Sequence, residues 1–182
     1  LIADKIGNDS VFTLFLELDL DPGYFASIAS EHFFYTPSRI GQTAAGTIPV
    51  DGDRTTIEKW LEQFFALTTY EISCPVMRDA SLAPSGKTGL IVSVLFDYKL
   101  TKHIEEQGWY EEFKSFCEKL VIKNMDASIY PGIKDAVLQR LYALRGLSSS
   151  KKDETAISYF ISFINDGGKL SVKIPSLEDI KL

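Results

Sequence analysis

The side chains that most often perform chemistry are few in this sequence, and their spacing matches no common catalytic or metal-binding motif. The 182 residues include two histidines, His32 and His103, and two cysteines, Cys74 and Cys117. An HExxH zinc pair, a CxxC pair and a GxSxG nucleophile turn each need a fixed local spacing that is missing here. We therefore expect no metal site and no Ser-His-Asp triad, and we interpret both cysteines as reduced apolar side chains.

Two pairs of neighbouring carboxylates are the remaining candidates for acid–base chemistry. Asp19 and Asp21 lie at the end of a predicted strand, and Glu111 and Glu112 lie on a predicted helix. Glycosidase-type catalysis needs two carboxylates that flank a substrate. Acidic residues at a strand end or on a helix surface are usually solvated, so we assign no catalytic residue.

The most unusual stretch, residues 77–90, has the sequence MRDASLAPSGKTGL. Its residue types predict a connection between two strands. Asp79 would accept backbone hydrogen bonds in an Asx turn, Pro84 would fix φ, and Gly86 would permit a left-handed residue.

The same stretch carries a resemblance to a known family. DASLAPSGK at residues 79–87, preceded by YEISCP at 70–75, resembles the DPSLAPxGK segment of phytoene-dehydrogenase-related flavoproteins. That family comprises carotenoid desaturases, isomerases and retinol-saturase-like proteins. VFTLFLELDL at residues 11–20 and SIYPGI at 128–133 are similar to two further family segments, in the family's order.

The resemblance implies an FAD-dependent oxidoreductase with two domains. A Rossmann-like domain would bind FAD, and an α+β substrate domain would place an apolar wall over the flavin for a long hydrophobic substrate. This chain resembles the substrate domain alone, since the family's GxGxxG motif is missing and would precede Leu1. We expect FAD in the parent protein and none bound by this chain alone. The expected partners are the missing FAD-binding domain and a hydrophobic small molecule.

Hydrophobic periodicity predicts the elements that would position these residues. Alternation with period two predicts strands at 11–20, 32–36, 70–76, 90–98 and 169–174. Because the strand at 90–98 has apolar residues on both sides, we expect an interior strand that is covered on each face. Predicted strands come first and helices later, with no strict strand–helix–strand alternation, which favours an α+β fold whose mostly antiparallel sheet has helices packed on it. The family's counterpart is the substrate domain of an amine-oxidase-like flavoprotein.

Helical periodicity predicts the other elements. Thr55 and Glu58 form a capping box before an amphipathic helix. A second long helix begins near Trp109, after Gly108 interrupts the preceding helical run. A third is predicted after Pro131, with a stripe made of Ile133, Val137, Leu138 and Leu141.

The predicted organisation is a substrate-domain-like α+β region at 1–146, a linker at 147–153 and a helix–turn–strand segment at 154–182. The chain begins at Leu1 with no Met and no signal peptide, as expected of an excised or mature piece.

Composition excludes several classes of protein. With 45% hydrophobic residues and 24% charged residues, the chain can bury a core and is not disordered. A formal net charge of −6 without a basic cluster argues against nucleic-acid binding. No run of about 18 apolar residues predicts a transmembrane segment. We expect a cytoplasmic protein that an apolar substrate could bring to a membrane.

Two functions are consistent with the sequence. The first is the substrate-binding domain of an FAD-dependent oxidoreductase for a polyene-like or lipid-like substrate, the chain alone being inactive. The second is a non-catalytic module that binds a hydrophobic ligand or a protein. The candidate substrate-lining residues are Phe33, Tyr35, Val11 and Phe15, although packing in the core would also account for them.

Overall fold

The computed structural model describes residues 9–145, which form one sheet with helices packed against it. The strands are β1 (Asp9–Leu18), β2 (His32–Tyr35), β3 (Tyr70–Ser73), β4 (Thr88–Asp97) and β5 (Val137–Arg145). The α-helices are α1 (Pro22–Ala26), α2 (Arg54–Leu67), α3 (Tyr98–Glu106), α4 (Tyr110–Ala127) and α5 (Ile133–Ala136). Short 3₁₀ turns lie at Gln42–Ala45, Pro75–Met77 and Ala80–Leu82.

The strand order is β2-β3-β4-β1-β5, and every neighbouring pair is antiparallel. The predicted α+β class with a mostly antiparallel sheet is therefore confirmed. The predicted linker at 147–153, the segment at 154–182 and its strand lie outside the described residues.

The core lies on one face of this sheet. Along β1 the alternate residues Phe12, Leu14, Leu16 and Leu18 are fully buried, because a strand directs every second side chain to the same face. The register places Leu14 opposite Val92 of β4, which is also fully buried. The even-numbered residues of β1 and β4 thus form the floor of the core.

Aromatic side chains of the helices close this core. The ring of Phe12 meets that of Phe65 of α2 at 6.3 Å between centroids. Phe96 of β4 contacts Phe64 of α2 at 5.3 Å and Phe113 of α4 at 5.4 Å. Edge-to-face and tilted pairs of this kind add to the free energy gained by burying the rings. Helices α2 and α4 therefore pack on the face that carries Phe12 and Phe96.

The start of α2 differs from the prediction. The residue that caps this helix is Asp53, whose side chain accepts a hydrogen bond from the backbone N–H of Thr56 at 2.8 Å. The predicted cap, Thr55, already lies inside the helix, so the expected capping box is wrong. Asp53 is itself a favoured N-cap residue, and a local pattern can place a cap two residues out of position.

The third predicted helix is also wrong for most of its length. Only Ile133–Ala136 is helical, and the chain then continues as β5, paired antiparallel with β1. In that register the Cα partner of Phe15 is Leu141, and the Cα partner of Leu14 is Tyr142. Pairing with the edge of β1 satisfies the backbone of both strands, and this gain outweighs a local helical spacing.

Candidate functional site

The second face of the sheet is the candidate functional site, and we refer to it as the open face. It is formed by the odd-numbered residues of β1 and β4, which are Val11, Thr13, Phe15, Glu17, Ile91, Ser93 and Leu95, and continues onto β3 and β2. The apolar members among them do not belong to the core cluster that joins the helices to the sheet. Leu95 is 65% exposed.

The exposure of Leu95 corrects one prediction. The strand at 90–98 is interior within the sheet, as expected, but its second face is exposed at Leu95 instead of being covered along its whole length. Asp97 caps α3 directly after β4, its side chain accepting a hydrogen bond from the N–H of Leu100. Leu100 and Ile104 of α3 are buried in the core cluster, so this helix packs on the face opposite Leu95.

The sheet register separates the four predicted substrate-lining residues into two pairs. Phe33 is opposite Ile72 of β3, and Ile72 is opposite Val92, so Phe33 lies on the core face. Phe33 and Tyr35 both pack against the core cluster. Val11 and Phe15 lie together on the open face, where Val11 is half-buried and Phe15 is 9% exposed.

Two hydroxyl side chains occupy the middle of the open face. Thr13 and Ser93 are direct cross-strand partners, and their side-chain oxygens lie 3.1 Å apart in a hydrogen bond. Because the two hydroxyl groups form a hydrogen bond with each other, they need fewer hydrogen bonds from a ligand. It lies between two apolar cross-strand pairs, Phe15 with Ile91 and Val11 with Leu95.

The β2–β3 side of the open face is more polar. The ring Nε2 of His32 lies 2.9 Å from Oε1 of Glu71, and both side chains are about half exposed. Phe34 is 68% exposed beside them. The apolar part of the open face therefore runs along β1 and β4.

The DASLAPSGK segment folds as its residue types predict. Asp79 accepts hydrogen bonds from the backbone N–H and the hydroxyl of Ser81, at 2.9 and 2.7 Å. The N–H of Lys87 donates to the carbonyl of Pro84 at 3.0 Å, and Gly86 has φ of 77°. A left-handed glycine before the last residue of a turn closed in this way is typical of a type II β-turn.

This turn places Lys87 at the end of the open face, beside Glu17. The ammonium Nζ of Lys87 lies 4.0 Å from Oε1 of Glu17, and the Glu17 side chain is only 13% exposed. Its second oxygen, Oε2, is buried and has no hydrogen-bond partner within the described part of the chain. Burial raises the pKa of the Glu17 carboxyl, and the charge of Lys87 partly opposes that rise. Sequence reasoning missed Glu17, which resembled an acidic residue at a strand end.

The two cysteines and His103 lie in surroundings that indicate a structural role. Cys74 and Cys117 are free and buried, and burial raises the pKa of both thiols, that of Cys74 to about 11. A thiol of high pKa is a poor nucleophile at neutral pH. Ring Nε2 of His103 lies 3.1 Å from the carbonyl oxygen of Gly52. Among residues 9–145, no group of three or more His, Cys, Asp or Glu could hold a metal ion.

The described fold does not fit the usual way of binding a dinucleotide. Rossmann-type binding presents a helix N-terminus after a glycine-rich turn in a parallel βαβ unit. All strand pairs within residues 9–145 are antiparallel, and the sequence has no GxGxxG. We therefore assign no FAD-binding residue in this chain.

No protein-family model matches the chain, and a search of curated proteins found no match. None of the described helices has the length and apolar character needed to cross a membrane.

Proposed function

We propose that this chain is the substrate-facing domain of an FAD-dependent oxidoreductase that acts on an apolar, polyene-like or lipid-like molecule. The observation that carries the proposal is that the helices of the core cluster pack on one face of the sheet, while apolar side chains also lie on the other face. Helices cover the face of Phe12 and Phe96, while Val11, Ile91 and Leu95 remain outside the core on the other face. An apolar ligand needs such a surface more than it needs many polar groups. The resemblance of residues 79–87 to a flavoprotein family supports the same reading.

In this proposal the redox chemistry belongs to FAD held by a domain outside this chain. The chain's own contribution is to shape one wall of the substrate pocket and to exclude water from it. The partners are then the FAD-binding domain and the hydrophobic substrate. The proposed location is the cytoplasm, with contact to membranes where the substrate is found.

A second candidate is a non-catalytic module that binds a hydrophobic ligand or another protein. The exposure of two large apolar residues on the open face, Phe34 at 68% and Leu95 at 65%, favours it. Exposed apolar patches often mark interaction surfaces. Both candidate functions place the binding site on the open face. They differ in whether an FAD-binding domain forms the rest of that site.

Anaerobic titration of the full chain with FAD tests the proposed division of labour. Flavin absorbance and fluorescence should show no tight binding, because no described residue forms a dinucleotide cradle. Stoichiometric uptake at micromolar FAD would contradict the proposal. Addition of a separately produced FAD-binding domain should then give a flavin-containing complex, a result that the non-catalytic candidate does not predict.

A further inference from the structure

The outer edge of β2 is a free edge of the sheet within residues 9–145. In the strand order, β2 comes first and β3 is its one neighbour. The N–H of Cys74 donates to the carbonyl of Glu31 at 2.7 Å, which extends the β2–β3 register by one directly opposed pair. Hydrogen-bonded pairs alternate with non-bonded pairs along an antiparallel ladder, so the odd-numbered residues of β2 bond to β3. The backbone groups of His32 and Phe34 therefore point toward the free edge.

Phe34 presents its backbone and its side chain together at this edge. No described residue forms a hydrogen bond with its N–H or its carbonyl. The carbonyl of His32, by contrast, accepts from the Ser30 hydroxyl at 3.1 Å. The Phe34 side chain is 68% exposed. Unpaired backbone groups beside an exposed aromatic ring form a surface on which another strand can pair.

The residue types of β2 do not protect this edge against pairing. Edge strands are commonly protected by a lysine, an inward-pointing charge or a proline. The strand has the sequence HFFY, with no proline and no lysine, arginine or acidic residue. Pro37 follows two residues after the strand. The residue before a proline favours extended backbone, so Thr36 can continue the pairing edge by one residue.

We propose that β2 pairs with β2 of a second copy of this chain, antiparallel and about a two-fold axis at Phe34. In this register Phe34 lies opposite Phe34 of the second copy, and His32 lies opposite Thr36 of the second copy. The N–H and carbonyl of each Phe34 bond to the other, and the two rings become cross-strand neighbours. The pairing joins two five-stranded sheets into one continuous sheet.

The edge fits a second copy because it is complementary to itself. A two-fold axis at Phe34 places every outward-facing residue of one strand against an outward-facing residue of the other. On the opposite face it sets Phe33 against Tyr35, and both side chains are half-buried aromatic rings. No like charges are opposed along the paired strands. Because a strand of four or five residues makes a small interface, we expect a weak dimer with a dissociation constant of about 10–100 µM.

Sedimentation velocity of the full chain over about 5–500 µM tests this pairing, which does not depend on the proposed function. The wild-type chain should pass from monomer to dimer across the range. Phe34→Lys should weaken the dimer by about tenfold or more, because it removes the ring pair and opposes two ammonium groups. Leu95→Lys is the matched control and should leave the dimer unchanged, since Leu95 is similarly exposed but belongs to an interior strand.

A mixture of two variants tests the register itself. Phe34→Lys and Phe34→Glu in equal amounts should associate about tenfold more tightly than either variant alone, because position 34 lies opposite its own counterpart across the axis. A mixture that associates no more tightly would overturn the proposal, and so would equal losses in Phe34→Lys and Leu95→Lys. A wild-type chain that stays monomeric at about 500 µM would also overturn it, and this measurement needs no variant.

Discussion

Glu17 is a carboxyl group whose burial raises its pKa in the folded protein. Between the unfolded pKa of about 4.3 and the higher folded value, the native state binds more protons than the unfolded state. The free energy of unfolding therefore falls as pH rises through this window. At neutral pH the ionised Glu17 costs stability.

The variant Glu17→Gln removes this cost, because an amide does not ionise. We expect its free energy of unfolding at about pH 7 to exceed that of the wild-type chain, with the difference vanishing as pH falls toward about 4. Urea denaturation at several pH values measures both curves. A variant that is less stable at neutral pH would show that Glu17 is a structural ion-pair partner of Lys87.

Local sequence rules predicted the turn at residues 79–87 but did not predict the site of Glu17. Asp79, Pro84 and Gly86 act on their own neighbours in the chain, so their residue types predicted the turn. The approach of Lys87 to Glu17 requires the antiparallel pairing of β1 with β4, in which Glu17 lies opposite Gly89. That register depends on the pairing of strands far apart in the chain, so local sequence patterns do not predict it.

The N-terminus of α2 allows a direct comparison of two candidate capping residues. Asp53 accepts the Thr56 N–H, and this hydrogen bond lowers the pKa of its carboxyl. Stability from the cap is therefore present above the unfolded pKa of about 3.9 and is lost as pH falls through the lower folded value. Asp53→Ala should lower the melting temperature at neutral pH, and the difference from wild type should shrink in acid.

Thr55→Ala serves as the control for that substitution. Thr55 is exposed inside the first turn and caps nothing, so thermal unfolding should shift little. A larger fall in melting temperature for Thr55→Ala than for Asp53→Ala would support the capping box predicted from the sequence.

The two faces of the sheet should respond differently to the same substitution. Leu14 of β1 is fully buried, and Leu14→Ala should lower the free energy of unfolding by about 2–5 kcal/mol. Leu95 of β4 is 65% exposed on the open face, and Leu95→Ala should change it by less than about 0.5 kcal/mol. Chemical denaturation of both variants measures the contrast. Equal losses would mean that both faces are covered.

Periodicity predicted β1 to β4 because each strand shows strong alternation along its own length. It failed for β5, where Ile133, Val137 and Leu141 recur at a spacing that also suits a helix, and only the edge of β1 selects the strand. It also could not assign Phe33 and Tyr35 to a face. A shift of one residue in the pairing of β2 with β3 would reverse the side on which they lie.

The whole molecule, within residues 9–145, combines an antiparallel sheet with helices on one face and a partly apolar opposite face. The fold class followed from the order of the predicted elements, and the structure confirms it. Which face of the sheet α2, α3 and α4 cover is set by contacts between distant parts of the chain. The flavoprotein relationship stays a prediction based on the motif at residues 79–87.

Fluorescence titration of two matched variants with a long linear polyene methyl ether tests whether the open face is the ligand wall. Leu95→Asn and Ile40→Asn each remove a strongly exposed aliphatic side chain, 65% and 72% exposed, but only Leu95 lies on the open face. If the open face is the ligand wall, Leu95→Asn should weaken the ether by roughly threefold to tenfold, and Ile40→Asn should leave the affinity unchanged. Unaltered affinity of the ether for Leu95→Asn, or an equal loss of affinity in Ile40→Asn, would contradict a ligand wall on the open face.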